Sequence, residues 1–61
     1  MNNEMGLEEY KKNVVDYLIK NMGYSLEMAE QSLLKYKKII EDCYQKGWKI
    51  TSVAAMIFNE L

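Results

Sequence analysis

The chain has 61 residues, with eight basic residues against nine acidic ones, a net charge of −1 and no histidine. This length allows one domain, which buries only about 60% of its unfolded surface and usually needs a staple or a partner. The single cysteine, Cys43, excludes an internal disulfide, the missing histidine removes the usual zinc ligand sets, and the near-neutral balance removes the basic field that attracts nucleic acid or an anionic membrane.

All the basic residues are lysine. Arginine makes the commonest specific base contact, a bidentate fork onto guanine, so its absence counts against sequence-specific DNA reading. Met1-Asn2-Asn3-Glu4 lacks the basic and apolar regions of a signal peptide, and no apolar run approaches about 18 residues. The expectation is a soluble, cytoplasmic protein without cofactor or metal, and with no membrane or specific nucleic-acid partner. Richness in lysine, asparagine and isoleucine without arginine suggests an AT-rich genome, which a phage or mobile element would suit.

Residues 1–6 read as a flexible N-terminus and residues 7–61 as a single helical domain. A first helix over 7–22 has Asn3 or Gly6 as its available N-cap, and Glu8 and Glu9 suit the positive end of its dipole. Its apolar positions (Leu7, Tyr10, Val14, Val15, Tyr17, Leu18, Ile19 and Met22) span an arc of roughly 200°, wider than one neighbour needs. Lys11 falls inside that arc, so either its stem snorkels or the first turn overhangs the bundle.

Gly23 is placed to end this helix in a left-handed conformation, with Tyr24 folding back towards Ile19 and Ser25 capping the next helix. The second helix, over 26–46, is the longest. Leu26, Ala29, Leu33, Tyr36, Ile40 and Cys43 recur at steps of three and four, which stacks them on one face. Gly47 repeats the stop, with Trp48 returning onto Cys43. Thr51 or Ser52 then caps a third helix over 52–61, in which only Ser52, Asn59 and Glu60 are polar. A helix apolar on nearly every side is a buried helix, and two others can scarcely cover it. The expected fold is therefore an all-α, three-helix bundle with a long central helix, completed by self-association.

The run Leu18-Ile19-Lys20-Asn21-Met22-Gly23-Tyr24-Ser25, followed by Ala29 and Leu33, resembles the first helix, Met-Gly-aromatic loop and second helix of ubiquitin-associated (UBA-like) domains. The resemblance covers about 20 residues. In that family the loop and the end of the third helix form an apolar patch that binds a protein partner, which implies a binding role for Met22, Gly23 and Tyr24. The sequence departs from the family in its long second helix, which has no breaker before Gly47.

No constellation of catalytic residues stands out. Cys43 shares the apolar face and lacks nearby cations, so it reads as a small core residue. Glu41 and Asp42 point roughly 100° apart on a helix and read as solvated charge. Lys35, Lys37 and Lys38 could touch phosphates, but Glu41 and Asp42 lie one turn on and offset them. Without a histidine base or a glycine-rich phosphate loop, a non-catalytic role is expected. Leu34, apolar but off the stripe, joins Met22, Gly23, Tyr24, Met56, Phe58 and Leu61 as candidates for partner binding. The expected function is a small protein-interaction module, homodimeric and docking through an apolar helical surface. The alternative is a helix-turn-helix-like regulator, against which stand the openings Leu26-Glu27-Met28 and Val53-Ala54-Ala55, poor in base-reading side chains.

Overall fold

A computed structural model describes residues 6–60. Among these residues there are four helices and no strand: α1 (Leu7–Met22), α2 (Leu26–Lys35), α3 (Lys37–Gln45) and α4 (Ile50–Asn59). None is long and apolar enough to cross a membrane.

Helix α1 is the hub, and its wide apolar arc is explained by packing against each of the other three helices. It covers the expected residues, with Gly6 as N-cap in extended conformation and no side-chain cap. The remainder of the expected flexible stretch lies outside the described residues. Tyr10, Val14 and Leu18 are its buried positions, one turn apart. Lys11 resolves its awkward placement by reaching Glu41 of α3, Nζ to Oε2 3.8 Å, with its side chain only 15% exposed.

The path runs up, down and up again. Near the start of α1 the Tyr10 hydroxyl donates to the Trp48 carbonyl at 2.8 Å, beyond the end of α3. At the other end of α1 the Tyr24 ring lies 6.5 Å from that of Phe58, near the end of α4. Helices α1 and α4 therefore run in the same direction, and α2 and α3 return between them. One core joins all four, built from Tyr10, Val14, Leu18, Tyr24, Ala29, Ile40, Cys43, Val53, Ala54 and Ile57.

The long central helix expected over 26–46 is corrected: it is interrupted at Tyr36, which sits at φ −106° and ψ 28°. The hydrogen-bond ladder carries through the interruption, with Tyr36 N–H donating to Ser32 O at 2.9 Å and Ile40 N–H to Tyr36 O at 2.9 Å. No proline or glycine stands there. The distortion is tertiary in origin: Ala29 and Ser32 before it and Ile40 and Cys43 after it are all buried, and both halves pack on α1.

The last helix also begins earlier than the expected range of 52–61. Its N-cap is Lys49, extended and without a side-chain bond, and Thr51 and Ser52 lie exposed in its first turn. Starting at Ile50 lets that side chain pack against the core, which outweighs a hydroxyl cap of about 1 kcal/mol.

The two glycine stops differ in detail. At Gly47 (φ 78°) both bonds of a Schellman motif form, Gly47 N–H to Tyr44 O at 3.1 Å and Trp48 N–H to Cys43 O at 3.0 Å. At Gly23 (φ 76°) the turn is wider, and the N–H groups of Gly23 and Tyr24 both donate to Leu18 O rather than to Ile19. Ser25 then caps α2, its Oγ accepting from Met28 N–H at 3.1 Å.

Candidate docking surfaces

Chemistry-bearing side chains are spread out rather than gathered. Among the described residues no group of three or more Cys, Asp or Glu is placed to hold a metal ion. Cys43 is a free, buried thiol; burial pushes its pKa up and the neighbouring Asp42 adds to the rise, while Lys46, one turn on, pulls the other way and corrects the expectation that no cation lies near. Asp42 itself pairs with Lys46 at 3.0 Å, one turn on. A groove of about 180 Å³ opens beside the interruption, lined by Met28, Gln31, Ser32, Lys35 and Tyr36. The Lys35 ammonium lies over the Tyr36 ring, 5.5 Å from its centre. The groove thus offers one cation, a phenol and a hydroxyl, without a carboxylate or imidazole to serve as base.

The candidate partner-binding residues fall into two places. At the loop end of the bundle, Tyr24 and Phe58 come together. Tyr24 is buried, its hydroxyl makes no hydrogen bond within the described residues, and burial together with nearby Tyr36 raises its pKa. Met22 and Met56 are half-buried and pack against the core. Phe58, 49% exposed, is the part of this cluster that a partner could reach, beside the exposed Gly23. Leu61 lies outside the described residues. Leu34 stands apart on α2 as the most exposed large apolar side chain among the described residues, at 76%.

Four further large apolar residues are exposed. Leu26, on the α2 stripe by sequence, is exposed at the first position after the cap. Met28 and Ile39 flank the stripe and are also exposed. Trp48 is held by its backbone, through the Tyr10 bond and the Schellman bond, which leaves much of its ring free.

The chain matches no protein-family model, no curated protein and no solved structure.

Proposed function

We propose that the chain is a small, non-catalytic, cytoplasmic protein-interaction module that docks through apolar helical surface and works as a homodimer. The observation that carries this reading is apolar surface left open by so short a chain: α4 holds no charge and leaves Ala55 and Phe58 exposed, and α2 leaves Leu34 exposed. Charge is depleted in the same way at the centres of protein interfaces. The meeting of Tyr24 and Phe58 supports docking at the loop end, where the UBA-like resemblance puts a partner site. The interruption at Tyr36 also leaves α2 with ten residues, brief as the second helix of that family is. A helix-turn-helix regulator fits less well, because Val53 and Ala54, at the opening of α4, are buried in the core.

Sedimentation equilibrium of the full chain at about 100 µM tests the reading, since a homodimer dissociates on dilution. A mass near twice 7.2 kDa is expected, and a clean 7.2 kDa species would sink the homodimer.

A further inference from the structure

We propose that a second copy of this chain docks antiparallel across the outer face of α2 and α3, with Leu34 on the two-fold axis. The proposal rests on the interaction-module reading and assigns self-docking to this face rather than to α4. Leu34 is the most exposed large apolar side chain described, at 76%. One turn before it stands Glu30 and one turn after it Lys38, with Glu27 and Lys37 alongside, all four exposed. Positions four apart lie about 6 Å along a helix and share its face. The hydrogen bonds that continue through Tyr36 keep α2 and α3 in a single register.

Such a face is self-complementary. A two-fold axis through Leu34 sets residue 34 − k against residue 34 + k of the other copy, because the same patch serves both subunits. Glu30 then meets Lys38 of the second copy, and the pair occurs twice. The charge pattern inside the chain supports this assignment. Glu27, Glu30, Lys37 and Lys38 form no ion pair among the described residues. Glu41, the acid that the axis would set against Glu27, is already joined to Lys11. Of the two acids that the axis sets against each other, Glu41 is paired within its own chain, while Glu30 and Lys38, which attract, are left open.

Charge reversal tests the arrangement on the full chain, by sedimentation equilibrium at about 50 mM salt, where exposed pairs act most strongly. Glu30→Lys alone gives like charges on both sides of the axis, and so does Lys38→Glu; each should weaken self-association about tenfold. An equimolar mixture of the two variants should restore it, because each chain then offers what the other lacks. Leu34→Asp, at a site too exposed to support the core, should leave circular dichroism unchanged and give a monomer. A dimer indifferent to all three substitutions overturns this surface and leaves homodimerisation standing. Weakening that the mixture fails to restore overturns the two-fold pairing, and a monomeric parent chain overturns both readings.

Discussion

Two tyrosines show how the same hydroxyl can help or burden a small core. Tyr10 places its ring 5.1 Å from Tyr44, edge to face, and its hydroxyl on the Trp48 carbonyl, so the group is both packed and bonded. Tyr24 is equally buried, but its hydroxyl has no partner among the described residues and loses its hydration without return. Tyr10→Phe is therefore expected to cost about 1 kcal/mol, or about 4–8 °C in thermal midpoint, whereas Tyr24→Phe should leave the midpoint level or raise it. Equal losses in the two variants would show that the Tyr24 hydroxyl is bonded as well as that of Tyr10, and would overturn this contrast. Cys43 gives a second expectation at this scale. The residue is 4% exposed and its thiol pKa is raised by burial, so a thiol reagent should label it far more slowly in the native chain than in denaturant. Labelling at the denatured rate would show that α3 opens readily.

At the scale of elements, what could be read in the sequence is whatever rests on local backbone chemistry. Gly23 and Gly47 end helices because only glycine takes a positive φ without strain, and both take it. Neither glycine has an atom near the position a Cβ would occupy, so replacement by alanine strains the backbone alone. Gly23→Ala and Gly47→Ala should each lower stability by about 1 kcal/mol in a thermal melt, and a level midpoint would deny the left-handed cap. Gly6 is different. Its backbone (φ −70°, ψ 166°) matches that of the working cap Ser25 (φ −76°, ψ 164°), space is open around it, and Glu9 lies three residues on. Gly6→Ser should complete a capping box and stabilise α1 by a few tenths of a kcal/mol. The interruption at Tyr36 and the early start of α4 were not legible, because both are settled by packing on α1 and the core. A stripe of three-and-four spacing names the buried face, yet it is silent on whether the helix beneath stays straight.

For the whole molecule, periodicity identified an all-α architecture and most of the core, since Ala29, Tyr36, Ile40 and Cys43 all turn inward. The candidate surfaces were only half legible. Spacing singled out Leu34 as off the stripe, and exposure agrees, whereas Tyr24 looked like a contact residue and is core. A loop position gives no periodic signal of which way its ring turns. The charge distribution carries the expectation about DNA. Lys35, Lys37 and Lys38 are exposed, but Glu27 and Glu30 share their side of the molecule and the net charge is −1. Any binding to a randomised duplex pool at low salt should be weak and should vanish by about 0.15 M salt as counterion release loses its drive. A sub-micromolar, sequence-dependent Kd by fluorescence anisotropy at that salt would promote the regulator reading over the docking module.

The scant burial of α2 has a consequence for local opening. Its buried residues are Ala29 and Ser32, two small side chains with no larger one beside them, whereas α1, α3 and α4 bury Leu18, Ile40 and Ile57. Elements with few apolar contacts unfold locally before the rest, so the amide protons of residues 30–35 should exchange with solvent fastest among the helical amides. A second copy laid over Leu34 would close that route. Exchange in α2, and at the start of α3 beside it, should then slow as protein concentration rises, while α1 and α4 stay unaffected, so the helix that buries the least bulk in its own chain would be steadied by its neighbour.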